Sequence, residues 1–262
     1  MLYRIFDTHS HYDDEKFDND REDLLQQMTM NGVEHIVNVA ASMKGVSDTV
    51  QLVQKYSFFY GALGVHPDEV GNLTEEDMLT ISEQVKSMNQ ANKRIVAIGE
   101  IGLDYYWDEA PRELQKKWFI RQLHLAEELK LPMIVHSRDA AQDTYEIMTT
   151  EHAEKTGGVV HCFSYSAEMA QKYVEMGFYI GIGGVVTFKN GKKMKEVVDA
   201  VPLDRIVTET DCPYLAPSPN RRSRNDSQNI RFIIDEIANI KGMDVNEVQK
   251  VLYDNAFKLY RI

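Results

Sequence analysis

Apolar, β-branched runs alternate with amphipathic stretches from one end of the chain to the other. Eight of these runs read as strands: residues 3–9 (YRIFDTH), 35–40 (HIVNVA), 59–66 (FYGALGVH), 94–100 (RIVAIGE), 133–137 (MIVHS), 158–164 (GVVHCFS), 178–184 (FYIGIGG) and 205–211 (RIVTETD). Helical spacing fills the intervals. Residues 21–32 form one such stretch, stopped by Gly32, and residues 73–90 another, opened by Thr74 three positions before Asp77 in a near capping box. Residues 111–130 start with Pro111 at a first-turn position, and residues 247–260 close the chain. Nearly all-apolar strands, each followed by a helix, indicate a parallel sheet buried on both faces. Eight strand–helix units in 262 residues fit an α/β fold of the (β/α)8 TIM barrel type better than an open doubly wound sheet. No linker or internal repeat divides it, so a single domain over 1–262 is expected. One irregular stretch, residues 210–225 (TDCPYLAPSPNRRSRN), separates the last strand from its helix. Long loops within compact domains are usually functional.

Polar residues collect at the ends of these strands. His9 and His11 are two apart on an extended segment, so both imidazoles project to one face. His66 ends the third strand, Glu100 the fourth and His136 the fifth, while His161 lies in the sixth and Asp211 ends the eighth. Singly, each has an ordinary reading: His-x-His is a weak signal, and Asp211 in DCP suits a turn cap. Together they change the picture, because the C-terminal strand ends of a (β/α)8 barrel ring one mouth, where active sites are built. His35, His124 and His152 fall elsewhere, as solvated or packing residues. His66, just before Pro67, reads either as a turn residue or as a contact to substrate.

Six donors of this kind suit two divalent ions rather than one. With Glu100 between them, His9, His11 and Asp211 complete one site, and His136 and His161 the other. Such pairs sit about 3.5–4 Å apart, share a water and lower its pKa from about 15.7 towards about 7. Mixed imidazole and carboxylate donors fit Mg, Mn or Zn, as well as nickel or iron. Cys162 and Cys212 neighbour ligands along the strand and so face the opposite side, which argues against a closed structural zinc site.

Composition adjusts this reading in three places. A net charge of −12 argues against a nucleic-acid-coating surface, though not against an enzyme that grips a few phosphates locally. Two basic clusters, residues 188–195 and 220–225, are expected in loops at the catalytic rim, with Arg221 and Arg224 the stronger candidates for phosphate contact. Seven acids within residues 12–23 read as a helix start that favours the dipole. Two cysteines, no leader pattern and no membrane-length apolar run make a cytoplasmic protein with no membrane association the expectation. Tyr105, Tyr106 and Trp107 read as a packed rim or as a surface for stacking bases.

The motifs DTHSHYDDEKFDNDRE (7–22), GVHPDEV (64–70), AIGEIGLDYYW (97–107), VHSRDA (135–140), HCFSYS (161–166) and ETDCPYLAP (209–217) resemble, in order and spacing, those of the TatD-related metal-dependent deoxyribonucleases, a branch of the amidohydrolase-type metal barrels. The resemblance covers essentially the whole chain. It implies a divalent-metal-dependent nuclease, with 3'-5' exonuclease activity on single-stranded DNA as its substrate and no obligate protein partner. His9 and His11 stand where the family's first metal pair stands, Glu100 at its bridging carboxylate, His136 and His161 at its second-site histidines, and Asp211 at the aspartate that closes the first site. The expected reaction is phosphodiester hydrolysis by a two-metal-activated water, with Asp211 as base and Glu100 as the shared catalytic carboxylate. His66, Arg221 and Arg224 are the expected substrate contacts. The pattern departs after the eighth strand: the family commonly reads PHRGKRNEP, and this chain has PNRRSRNDS (219–227). Pro219, Arg221, Arg224 and Asn225 agree, while Asn220 replaces a histidine and Ser227 a proline.

Two other classes compete. A metal-dependent ester or amide hydrolase, such as a D-aminoacyl-tRNA deacylase, can use the same barrel. Many amide-cleaving relatives of the fold bridge their metals with a modified lysine, whereas here the strand ends in Glu100 and Lys93 stands at its start. An accessory role in protein export, suggested by the family's name, has no use for six intact ligands.

Overall fold

The computed structural model describes residues 3–92 and 94–262, so Lys93 lies outside the described residues. Strands and helices alternate as expected. The first half runs β1 (Ile5–Ser10), α1 (Arg21–Met30), β2 (Val33–Val39), α2 (Met43–Lys55), β3 (Phe59–Leu63), α3 (Glu75–Ala91), β4 (Ile95–Asp104) and α4 (Arg112–Leu129). It continues with β5 (Met133–Arg138), α5 (Ala141–Thr150), β6 (Gly158–Val160), α6 (Ala167–Glu175), β7 (Tyr179–Ile182), α7 (Lys192–Ala200) and β8 (Ile206–Thr208). Two helices, α8 (Ile230–Lys241) and α9 (Val245–Tyr260), end the chain. The strands form one eight-stranded sheet in the order β1 to β8, which is the connectivity of a (β/α)8 barrel. Among the described residues, no helix is long and apolar enough to cross a membrane.

Local chemistry explains the element ends. Thr74 and Asp77 make a full reciprocal capping box at the start of α3. Ser42 caps α2 by accepting from the Gly45 amide. Gly242, with φ 62°, closes α8 in the left-handed conformation that glycine tolerates best.

The chain divides into two compact units. The first comprises the chain up to Val37 with His161–Glu175 and Tyr179–Leu259. In it, β7 pairs in parallel with β8, and the segment after β8 bridges β1 at Ser10 and Cys212. The second comprises Asn38–Val160, Met176–Phe178 and the last three residues. There β3, β4, β5 and β6 pair in parallel around a buried core of Ile98, Ile101, Leu103, Ile134 and Val135.

Several expected boundaries move, each for a visible reason. β4 does not end at Glu100 but continues to Asp104, because Gly102, Leu103 and Asp104 keep pairing with His136, Ser137 and Arg138. β3 stops at Leu63, and His66 caps a 3-10 turn by accepting from the Asp68 amide. β6 and β8 are three residues each, so His161 and Asp211 lie just beyond their strands. Pro111 is the cap of α4 rather than a first-turn residue, with an extended ψ of 133°. Only the first half of the lysine-rich cluster is loop: Lys189 precedes α7, whereas Lys192, Lys193 and Lys195 belong to it, and Lys195 pairs with Glu236 at 2.6 Å.

Gly102 marks the tightest approach of β4 to β5. Its φ is 147°, and a Cβ there would stand 1.9 Å from the His136 carbonyl oxygen. Gly102→Ala is therefore expected to cost on the order of 2–4 kcal/mol, from overpacking together with backbone strain. Urea unfolding measures it, as a lowered midpoint with an unchanged slope.

Candidate active site

The first unit builds a cluster on β1 and the segment after β8. Asp7 and His9 lie two apart on a strand whose six residues are all buried, and so share one of its faces. Asp7 accepts from the Thr210 amide (3.0 Å), the Thr210 hydroxyl (2.6 Å), the Ser227 hydroxyl (2.6 Å) and the His9 amide (3.3 Å). Burial still pushes its pKa up, to about 6. The Asp211 amide donates to the His9 carbonyl and the His11 amide to the Cys212 carbonyl, at 3.0 and 2.9 Å, so β1 and the segment after β8 run side by side through the site. Asp211 itself sits at φ 55°, a left-handed conformation that aspartate tolerates better than most residues.

This backbone arrangement makes three donors converge. His9 Nε2 lies 3.0 Å from His11 Nε2, and Asp211 Oδ1 lies 3.3 Å from His11 Nε2 and 3.7 Å from His9 Nε2. First-row divalent ions hold nitrogen and oxygen donors at about 2.0–2.2 Å, which sets neighbouring donors about 3–3.5 Å apart. The spacing fits such an ion. Burial alone raises the Asp211 pKa, but the hydrogen bond to His11 and the imidazoles of His9 and His161 outweigh it and hold the carboxyl below its usual range.

His161 stacks on His9 with ring centroids 3.9 Å apart and an interplanar angle of 9°. Behind it lies Glu209, wholly buried, with Oε1 3.8 Å from His161 Nδ1 and accepting from the Cys162 amide. Its Oε2 has no hydrogen-bond partner. Burial pushes the Glu209 pKa up to about 8 against the opposing pull of His161 and the Cys162 amide. An orphaned buried carboxylate oxygen beside an imidazole calls for a proton or a cation. Donor atoms of His9, His161 and Glu209 all lie within 4.8 Å of one another.

The second unit builds its own cluster on β3, β4 and β5. His136 is held between two carboxylates, with Nδ1 2.8 Å from Glu100 Oε1 and Nε2 2.9 Å from Asp104 Oδ2. Burial opposes a charged imidazole, yet Asp104 and Glu100 outweigh it and push the His136 pKa up to about 9. His66 Nε2 stands 3.7 Å from the same Glu100 oxygen. Its Nδ1 accepts the Asp68 amide at 3.2 Å, so the neutral ring carries its proton on Nε2. Burial and the neighbouring Asp104 raise the Asp68 pKa to about 6. Donor atoms of His66, Asp104 and His136 also lie within 4.8 Å of one another. In each unit, mixed imidazole and carboxylate donors fit a divalent cation.

Of the residues expected from sequence, His9, His11, His161 and Asp211 come together in the first unit, and His66, Glu100 and His136 in the second. Arg224 is engaged elsewhere: it makes a bidentate pair with Asp20 at 2.7 and 2.6 Å and covers the Phe17 ring. Arg221 is exposed and lies 3.8 Å over the Phe188 ring. Asp7, Asp68, Asp104 and Glu209 were not among the sequence candidates.

A family model described as TatD-related DNase matches residues 6–261. The metal-dependent hydrolase YabD of Bacillus subtilis is 42% identical over 258 residues, covering 98% of this chain and 99% of that protein. The metal-dependent hydrolase YcfH of Escherichia coli is 35% identical, covering 98% and 96%. The crystal structure of YjjV, a TatD homologue from Escherichia coli, superposes with a TM-score of 0.90 at 29% identity over the full length of both chains.

Glu209 makes a stability test possible. Its folded-state pKa of about 8 lies above its ordinary value of 4.5, so between those pH values the folded protein keeps a proton that the unfolded chain has released. Stability of the metal-free protein therefore falls as pH rises through that window. Glu209→Gln keeps an acceptor for the Cys162 amide and removes the titration. In chelator it is expected to match the parent near pH 4 and exceed it by on the order of 2–4 kcal/mol at pH 8.5, measured by urea unfolding at both pH values.

Proposed function

The chain belongs to the TatD-related DNase family, and from that premise we propose that it trims single-stranded DNA from the 3' end by hydrolysing phosphodiester bonds. As a member it is a metal-dependent hydrolase that acts on ester bonds. The observation that carries the finer reading is the convergence of His9 Nε2, His11 Nε2 and Asp211 Oδ1 within 3.0–3.7 Å of one another at the end of a strand. C-terminal strand ends are where (β/α)8 enzymes carry their chemistry.

The proposed ligands are His9, His11, Glu100, His136, His161 and Asp211, for two ions of magnesium, manganese or zinc. Bound there, such ions supply Lewis-acid polarisation of phosphate oxygens and a water acidic enough to attack phosphorus near neutral pH. Asp211 takes the proton of the attacking water. The neighbouring imidazoles hold its pKa low, so the carboxylate is ionised throughout the neutral range. A low pKa also makes it a weak base, suited to a nucleophile that is already acidic. Asp104 fixes the His136 ring through Nε2, and Nδ1, 2.8 Å from Glu100 Oε1, is the atom that would face a shared cation once its proton is displaced. His66 offers its Nε2 proton as a donor to a phosphate oxygen. Its Nδ1 is already committed as an acceptor, which favours this substrate role over ligation. Arg221 is the arginine available for a phosphate further along the strand, since Arg224 is held by Asp20.

The test is hydrolysis of 5'-end-labelled single-stranded DNA by metal-stripped protein titrated with Mg²⁺, Mn²⁺ and Zn²⁺. Progressive shortening that requires metal is expected, falling by about 10²–10⁴-fold in Asp211→Ala and Glu100→Ala. No cleavage with any metal would defeat the nuclease reading and move the search to carboxylic esters, the ester of a D-aminoacyl-tRNA first.

A further inference from the structure

The loop that follows β4 carries two large aromatic rings into solvent. Tyr106 is 54% exposed and Trp107 58%, whereas the other tryptophan, Trp118, is 3% exposed. The two rings meet edge to face, with centroids 5.0 Å apart. They are held firmly. Asp104 Oδ1 accepts both the Tyr106 and Trp107 amides at 2.9 Å, and the Tyr105 amide donates to the Arg138 carbonyl. The Tyr105 hydroxyl donates to Asp143 at 2.7 Å, and Arg112 covers the Tyr105 ring. A rigid loop that keeps two aromatic rings in water forgoes the burial such side chains normally gain, and it is preorganised for a partner with a flat face.

Arg138 identifies that partner. Its guanidinium lies 3.8 Å over the Tyr106 ring and 5.6 Å from the centre of Trp107. Among the described residues, no carboxylate forms an ion pair with it. On β5, Arg138 is two residues beyond His136, so both side chains project from the same face of the strand. Asp104, whose Oδ1 holds the aromatic loop, bonds His136 through its Oδ2. Flat aromatic faces beside a cation with no carboxylate partner, two residues along β5 from the proposed ligand His136, match a planar base attached to an anionic backbone.

We propose that Tyr106, Trp107 and Arg138 form a stacking subsite for an unpaired nucleobase at the end of the substrate strand, with Arg138 contacting the phosphate attached to it. The subsite rests on the phosphodiesterase reading and adds to it a requirement for a base that is free to leave its stack. Every base has a π face, so the subsite tolerates sequence while excluding paired ends. Arg138, packed against one face of Tyr106, supplies charge where the chain as a whole, at −12, does not.

The test compares metal-loaded parent enzyme with Tyr106→Leu/Trp107→Leu and with Arg138→Gln on two 5'-labelled strands, one ordinary and one ending in a 3' abasic residue. The expected result is a KM about tenfold or more higher for the double variant on the ordinary strand, with kcat little changed. On the abasic-ended strand the parent drops to the level of the double variant, and the two become indistinguishable. Arg138→Gln raises KM on both strands, because its contact is to phosphate. The subsite is overturned if the double variant cuts the ordinary strand as the parent does, if the parent cuts both strands equally, or if the double variant loses both alike. Trp107 gives a readout that does not depend on hydrolysis. A trinucleotide quenches the fluorescence of the exposed tryptophan and shields it from iodide, and an abasic trimer does neither. Absence of that quenching sinks the subsite even if the strand is cut, while quenching without any cleavage supports the subsite and removes only the nuclease reading.

Discussion

The Asp7 carboxylate holds the first unit's site in place. A buried carboxylate without partners costs several kcal/mol, and Asp7 meets that cost with four hydrogen bonds, three of them from Thr210 and Ser227, some 200 residues further along the chain. The bond from the His9 amide fixes the strand that presents His9 and His11, and the bonds from Thr210 fix the residue before Asp211. Asn225 extends the clamp by donating to the carbonyls of Thr210 and Tyr214. The long loop after β8 is thus fastened at its root, and the imidazoles and the carboxylate of the cluster inherit their spacing from a residue that touches none of their reacting atoms.

In the second unit the governing constraint is an excess of buried acid. Glu100, Asp104 and Asp68 gather around two histidines, and the metal-free protein settles their repulsion with a proton on His136. A proton and a divalent ion serve the same electrostatic purpose there. Cation binding at such a cluster is an exchange for a proton, and affinity rises with pH as that proton becomes easier to remove. On the proposed function, the same exchange would let a strongly acidic chain approach an anion, since a bound divalent ion inverts the local charge.

Much of this was legible in the sequence. Eight apolar runs separated by helical spacing made the strand order plain, and Thr74 with Asp77 announced a cap that the structure completes. His9, His11, His136, His161, Glu100 and Asp211 stood out because imidazoles and carboxylates at the ends of apolar runs are costly unless used. The remaining features depend on contacts that sequence spacing does not display. Asp104 was missed because the glycine-rich stretch GEIGLD reads as the end of a strand, whereas Gly102 lets β4 lie close enough to β5 to continue. Glu209 and Asp7 read as strand interior, although the two-residue period that pairs His9 with His11 also puts Asp7 with His9 and Glu209 with Asp211. The lysines of residues 192–195 looked like a rim loop because their charge hid the apolar face of α7, formed by Met194, Val197 and Val198. Arg224 matched a motif, and only three-dimensional structure could show Asp20 occupying it.

Asp104 divides its two oxygens between different tasks: one steadies the His136 ring, and the other steadies the loop that bears Tyr106 and Trp107. The division bears on how readily the protein could acquire new preferences. The loop is anchored through backbone amides, which any residue except proline supplies, so the side chains at 106 and 107 are free to change without disturbing the anchor. Position 104 has no such freedom, since a change there perturbs ring and loop together. Diversification of this loop can therefore proceed by swapping what it displays while its attachment stays fixed, and selection can explore ligand preference at little risk to the chemistry beside it.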